Sequence, residues 1–486
     1  MAKPVGAVVI GMGLATLVCA LVGGIWDSLD PLDATYPGGL YALVGSAVAM
    51  ILPGGFLYHY GHGHQTKTMS RREAVLAVAI IWLSAGSFGA LPFVFGAGLS
   101  PADAFFESVS GFSTTGSTVI TDLDERLSRS MHLFRSLIQW LGGAGIVVLF
   151  VAVFPNVGAG GKHLYKGEVS GVTTEGLKPR IRETSLAIWK LYVTFTVIVG
   201  VVLALLGMSP FDAVCHALTV VATAGFSTRD ASIAAFQNPA VEYFLAVVML
   251  VSSVNFGLYY AAFGQRKLRV LRKNIELRIF LWMTLCFWIA VAMMNYPLHG
   301  DVEATIRKSF FMVASTVSTT GYALEDYTAW SHTALGLFLF MMFVGGCSSS
   351  TAGGLKVERL ILLFQIALTQ VKKSFRPSAV QLVRLGKTII NDQLLADVAA
   401  IFIIYVATIF VGTLVVTLTD GVPLTTAFGA TLSCASNAGP SPFFLGGDHF
   451  ADYSSFSKVL FALIMILGRL EFFTVLALFV PSFWRR

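Results

Sequence analysis

The sequence predicts an all-α integral membrane protein with ten membrane spans. Two amino-terminal spans precede four repeated units, each a span, a short half-helix, a glycine-containing stretch and a second span. Three observations predict this. Of 486 residues, 55% are apolar and only 12% charged, against roughly 45–50% and about 25% in soluble chains. The apolar runs are long and do not alternate, so they suit helices rather than barrel strands. Four glycine-ended segments also recur in register along the chain. The 33 Lys and Arg and 27 Asp and Glu cannot cover a soluble surface, and the mean hydropathy is +0.74. A soluble enzyme, a nucleic-acid binder and a disordered scaffold are excluded.

Spans of the length a bilayer requires are expected near 5–26, 37–58, 74–97, 133–155, 185–207, 241–264, 278–296, 333–369 (interrupted), 394–419 and 457–480. The first runs 22 residues and ends in Trp26-Asp27 without a small-residue cleavage pattern, so it is a span and not a leader. Both termini are expected on the cytoplasmic side. That placement puts Lys3, the loops 59–73, 156–184, 265–278 and 370–393, and Arg485-Arg486 inside, with 22 basic residues against six acids. The outer loops, counted with Glu242 and Lys458 at the outer ends of their spans, then hold six basic residues against 18 acids, so the net charge of +6 reports topology. The acidic outer face would concentrate cations.

Local motifs carry little. Cys19, Cys215, Cys286, Cys347 and Cys434 have no C-x-x-C spacing and read as small apolar packing residues. His59, His62 and His64 sit beside Lys67 and Arg71 without acids or cysteines, which favours a solvated inner loop over a metal site. Gly158–Lys162 follows a span, and position 156 is Asn where a phosphate loop requires Gly.

The repeats carry more. Thr114-Thr115-Gly116, Thr223-Ala224-Gly225, Thr319-Thr320-Gly321 and Asn437-Ala438-Gly439 end in glycines 109, 96 and 118 residues apart. Counting back 13 positions gives Asp103, Asp212, Lys308 and Thr426, each opening a short helix, with no gaps inside a segment. Pro101, Pro210 and Pro423 stand near three of these starts, as proline does at helix amino termini; the third segment lacks one. Each helix is expected to run about ten to twelve residues, too short to span. The expected segments of the chain are 1–70 (the amino-terminal pair), 71–165, 166–275, 276–385 (with a broken second helix) and 386–486.

Irregular backbone at membrane depth survives only where protein buries it or where it lines a watery cavity. Four such stretches can satisfy one another around a single axis. Glycine tolerates positive φ, so successive carbonyls can face one way and replace the hydration shell of a monovalent cation. Half-helices aiming their carboxyl ends inward add a negative dipole end.

Thr-Thr-Gly-Ser, Thr-Ala-Gly-Phe, Thr-Thr-Gly-Tyr and Asn-Ala-Gly-Pro in four span–pore-helix–span units resemble the Trk/Ktr/HKT superfamily of potassium transporters. The resemblance covers the whole chain. It includes Gln139-Trp140-Leu141-Gly142-Gly143-Ala144-Gly145, Gly225-Phe226-Ser227-Thr228, Gly345–Lys356 and Gly468-Arg469-Leu470-Glu471. The two extra spans and the length match its longer bacterial branch. The resemblance implies selective uptake of potassium, and rubidium with it, across the bacterial inner membrane, by a homodimer with one pore per subunit. It implies a cytoplasmic ring of nucleotide-binding TrkA-type regulatory subunits, and no organic cofactor. One departure stands out: Asn437 replaces the Thr of the other three segments.

Gly345, Gly346, Cys347, Ser348, Ser349, Ser350, Thr351, Ala352, Gly353 and Gly354 fall in the middle of the eighth span. Nearly all are small and poor helix formers, so a break forming a loop below the filter is expected; in the resembled family this region is an intramembrane gate. Arg469 lies within the last span. Two readings stand for it: an ion pair with another helix, or a charge beside the pore that sets the barrier to cations. A cation-coupled carrier of organic solutes would show inverted repeats and midplane acids, whereas here the repeats are parallel and the only acids expected mid-span are Asp397 and Glu471. A Ser/His hydrolase finds no support, since the nine His are expected in loops, near span ends or at segment edges.

Overall fold

The computed structural model describes residues 1–29, 38–62, 71–145, 181–264, 266, 268–376, 383–386, 388–441, 449–470 and 476–484. Glu471, His64, Lys67, the loop 156–180 and Arg485-Arg486 lie outside the described residues.

Helices α1 (Ala2–Leu29) and α2 (Gly39–His62) form the amino-terminal pair. Small residues let their backbones meet: a methyl on Gly6 would stand 2.5 Å from Tyr58 N and 2.6 Å from Gly54 O, the close approach that drives helix pairing in lipid. Helices α3 (Arg71–Gly89) and α4 (Leu91–Ala97) lead into the short helix α5 (Pro101–Phe112), and α6 (Arg129–Ala144) follows it. Then come α7 (Ile181–Leu205), the short α8 (Pro210–Val221), and α9 (Pro239–Ser252) with α10 (Phe256–Gly264). Next are α11 (Ile275–His299), the short α12 (Val302–Val317), α13 (His332–Val344) and α14 (Val357–Phe375). A hairpin of β1 (Arg384–Leu385) and β2 (Thr388–Ile389) precedes α15 (Asp392–Asp420), the short α16 (Leu424–Ser436) and α17 (Ser455–Arg469).

Among the described residues, six helices are long and apolar enough to cross a membrane, or seven if the bent pair α9–α10 counts as one span. The expected span 333–369 is divided into α13 and α14. The expected spans 133–155 and 457–480 run as helix to Ala144 and Arg469, and their continuations fall partly on residues that are not described.

Two expectations need correction. The span expected at 241–264 is bent by 92° between α9 and α10. No proline causes it. Ser253 Oγ donates back to the carbonyls of Met249 and Leu250, both at 2.9 Å, a contact that bends helices. Asn255 then caps α10, accepting from Gly257 N at 2.8 Å. The third short helix is longer than expected, at 16 residues. Without a proline it starts at Val302, capped by Asp301, which accepts from Ala304 N at 2.9 Å. The other three hold 12, 12 and 13 residues. In α5 and α8, a serine before the proline caps the helix, Ser100 accepting from Asp103 N and Ser209 from Asp212 N.

Gly6→Val should force α1 and α2 apart and cost about 1–3 kcal/mol, the range for overpacking. A thermal melt of the detergent-solubilised protein checks it, the expected outcome being a lower Tm.

Candidate functional site

The four glycine-ended segments meet. A methyl placed on Gly116 would strike the Ala224 carbonyl oxygen, and one on Gly225 would strike that of Thr320. One on Gly321 would reach the Ala438 oxygen at 2.5 Å, and one on Gly439 the Thr115 oxygen at 2.8 Å. Each glycine thus faces the carbonyl just before the next segment's glycine, and the series returns to its start. No side chain fits at any of the four.

Their backbones repeat in detail. Thr114, Thr223, Thr319 and Asn437 have φ of 56°, 50°, 54° and 52°, and the glycines two residues on have φ of 83°, 76°, 84° and 97°. The middle residue of each triplet donates its N–H to the carbonyl five positions back, at 2.9–3.0 Å: Thr115 to Ser110, Ala224 to Thr219, Thr320 to Ser315 and Ala438 to Ser433. Positive φ on three β-branched threonines is strained, and such strain persists only where surroundings enforce it and concentrates at functional sites. Asn tolerates that conformation better, which gives Asn437 a backbone reason to stand where the others have Thr. The eight triplet residues other than Gly116, Gly225, Gly321 and Gly439 are all at most 2% exposed.

Side chains brace the segments. Ser110 Oγ donates to the Ser117 carbonyl at 2.5 Å and Ser315 Oγ to that of Tyr322 at 2.8 Å. Ser117 Oγ ties the first segment to the fourth through the Gly439 carbonyl at 2.8 Å. Asn437 Nδ2 donates to Thr115 Oγ1 at 2.9 Å and to the Met465 carbonyl at 3.0 Å.

Of the two acids expected mid-span, Glu471 lies outside the described residues; Glu358, which also falls within the expected span 333–369, is buried. Asp397 sits in the second turn of α15, accepting from Gln393. The buried acids include Glu107, Asp212, Glu276 and Glu358. Glu107 on α5 pairs with Arg135 on α6 at 2.7 Å, with both side chains at most 2% exposed. Glu107 also accepts from Thr118 Oγ1 and Val119 N, while Arg135 donates to the Ser227 carbonyl at 3.1 Å and lies 3.7 Å from the Phe226 ring centre. The pair therefore locks the first segment to the second. His216 also departs from expectation, lying inside α8 rather than at an edge, fully buried between the Asp212 carbonyl and Ser227 Oγ. In the loop after the second glycine segment, burial and the adjoining Asp124 hold the Asp230 carboxyl above its ordinary range, against the pull of two backbone N–H groups.

The small-residue run Gly345–Gly354 is a loop whose ends are pinned together, with Leu355 N, Lys356 N and Val357 N donating to the carbonyls of Phe343, Val344 and Gly346. It packs on the carboxyl ends of three short helices. Gly353 N donates to Thr319 Oγ1 at 2.6 Å, Gly354 N to the Ser436 carbonyl at 2.8 Å, and Thr351 Oγ1 to the Val221 carbonyl at 3.2 Å. Cys347 N donates to the Ser253 carbonyl at 2.9 Å and Ser348 N to Glu276 Oε1 at 2.6 Å, while Ser350 Oγ donates to the Cys347 carbonyl at 2.6 Å. Lys356 Nζ donates to the Ala352 carbonyl. Arg469 donates to the carbonyls of Thr351 at 2.9 Å and Gly142 at 3.0 Å, so it binds the loop directly. Among the described residues no His, Cys, Asp and Glu group could hold a metal ion, and the five cysteines are free.

A family model described as TrkH, cation transport protein, matches residues 42–486. The chain belongs to the TrkH family. It is 37% identical over 488 residues to the Trk system potassium uptake protein TrkH of Halomonas elongata, covering 98% of each chain. It is 36% identical to the Escherichia coli (strain K12) TrkH over 424 residues, 86% of this chain and 87% of that one. The crystal structure of the potassium transporter TrkH from Vibrio parahaemolyticus superposes with a TM-score of 0.87 at 30% identity, over 100% of this chain and 99% of that one. The protein is accordingly an all-α, multi-pass membrane protein of the TrkH fold and a cation transporter, not an enzyme.

Arg135→Met should leave Glu107 charged and unpaired in a dry site. Breaking a buried pair from one side costs about 3–5 kcal/mol, so the melting temperature in detergent should fall sharply, and further than for Arg229→Met, whose half-exposed guanidinium pairs with Asp124 and with the buried Asp212.

Proposed function

We propose that this TrkH-family chain takes up potassium, and rubidium with it, across the bacterial inner membrane through a filter of Thr114-Thr115-Gly116, Thr223-Ala224-Gly225, Thr319-Thr320-Gly321 and Asn437-Ala438-Gly439. The full-length relatives named above as potassium uptake proteins support the substrate. The closed cycle of glycine against neighbouring carbonyl carries the filter reading, because it gathers carbonyl oxygens from four segments where a partly dehydrated cation needs them. Four parallel units behind an amino-terminal pair, with ten spans and boundaries at 70, 165, 275 and 385, are the architecture this reading requires. The charge bias of the loops supports cytoplasmic termini.

Residues Gly345–Gly354 act as the gate, with Arg469 as its latch. The loop hydrogen-bonds to the second, third and fourth short-helix ends, so it sits across the path of an ion leaving the filter. Arg469 places its charge there while holding Thr351. The regulatory partner proposed is a TrkA-type nucleotide-binding ring gripping the inner surface of a homodimer. Lys372, Lys373 and Arg376, at the end of α14 and exposed, offer it a basic handle.

Expression in potassium-starved cells should raise uptake of radioactive rubidium above that of cells lacking the chain; equal uptake overturns the proposal. Gly116→Ser should cut the preference for potassium over sodium about tenfold, equivalent to ~1.4 kcal/mol, as read by competitive uptake in liposomes. Deleting residues 347–352 should raise flux without the regulatory partner and blunt its response to nucleotide. A dimeric deletion variant that conducts no faster than wild type would remove the gate.

A further inference from the structure

Gln139 lies on α6, outside the four segments, and is fully buried. Both hydrogen bonds of its carboxamide go to the second segment: Nε2 donates to the Ala224 carbonyl at 2.8 Å, and Oε1 accepts from Phe226 N at 3.0 Å. One amide group therefore clamps the peptide groups on either side of Gly225.

The first and third segments differ there in kind. In the first and third, a hydroxyl pair stands at the same two positions, Ser113 with Thr115 at 2.6 Å and Ser318 with Thr320 at 2.7 Å. In the second those positions are Ala222 and Ala224, which have no hydroxyl to offer.

We propose that Gln139 is a positioning residue for ion choice, fixing the direction of the Ala224 carbonyl and taking over the bracing that a hydroxyl pair gives the first and third segments. The inference rests on the filter reading above. Discrimination depends on the number and dipole strength of the coordinating carbonyls. A carbonyl whose oxygen also accepts from a fixed N–H resists swinging inward around a smaller ion; released, it follows sodium. Loss of Gln139 should therefore alter which ion passes, over and above any effect on how much passes.

The test uses purified full-length protein in liposomes, comparing wild type, Gln139→Leu, Gln139→Glu and Gly225→Ser for rubidium uptake under sodium competition. Gln139→Leu keeps the volume and removes both bonds; the preference for rubidium over sodium should drop about tenfold, ~1.4 kcal/mol. A protonated Glu can replace both bonds of the amide and an ionised one cannot, so Gln139→Glu should hold its preference at pH 6 and lose it as pH rises. A folded Gln139→Leu variant with wild-type preference overturns the inference. If that variant does not assemble, a wild-type preference that stays flat with pH in Gln139→Glu overturns it. If Gly225→Ser relaxes the preference while the Gln139 variants do not, the role of Gln139 fails alone; if Gly225→Ser also leaves it intact, the filter reading fails with it.

Discussion

Peptide groups that leave the helix inside a membrane find no water, so each must bond within the protein or face a ligand. This chain leaves the helix in the four glycine segments and again in the loop beside them, and it bonds several of the freed donors internally. The N–H groups of Thr115, Ala224, Thr320 and Ala438 turn back onto their own helices. Those of Cys347, Ser348, Gly353 and Gly354 are taken by Ser253, Glu276, Thr319 and Ser436. These donors are satisfied inside the protein, while the four triplets bring carbonyl oxygens close to one another, an arrangement that would suit the cargo of a cation transport family.

The register of the four triplets was legible because glycine at fixed spacing is a local signal. Their strained conformation was not: a β-branched residue at positive φ contradicts its own propensity, and it is held by contacts between segments roughly a hundred residues apart. Asn437, which looked like a lapse of symmetry, is the residue most at ease with that backbone. The pairing of Glu107 with Arg135 leaves no local pattern, because 28 residues separate partners on different helices. The bend after Ser252 carries neither proline nor glycine, only a serine bonding backward. The helix over 302–317 outgrew its expected length because an aspartate cap needs no proline to start a turn.

The two interrupted helices are joined at their interruptions. The Ser253 carbonyl, exposed by the bend between α9 and α10, receives Cys347 N, and Thr351 Oγ1 reaches the Ser252 carbonyl at 3.2 Å as well as Val221. Arg469 fastens the same threonine from the last helix. The loop is thus held by residues of α8, α9, α11, α16 and α17 and by Thr319 after α12, while the other arm of Arg469 reaches Gly142 on α6. Displacing it requires several bonds to open together, which favours two discrete arrangements over a continuum.

The closing contact of the ring joins Ser117 to Gly439, 322 residues apart. A ribosome emits the chain in order, so the first segment must wait in the membrane while three later ones are made. During that interval its partners on one side do not yet exist. The Glu107–Arg135 pair and the serine bond from Ser110 to Ser117 lie within the early part of the chain and can form at once; they give the unfinished protein a way to shelter exposed backbone from lipid. Non-local closure of this kind is slow, and a nascent chain halted before Gly439 would present an open edge to the quality-control machinery of the membrane.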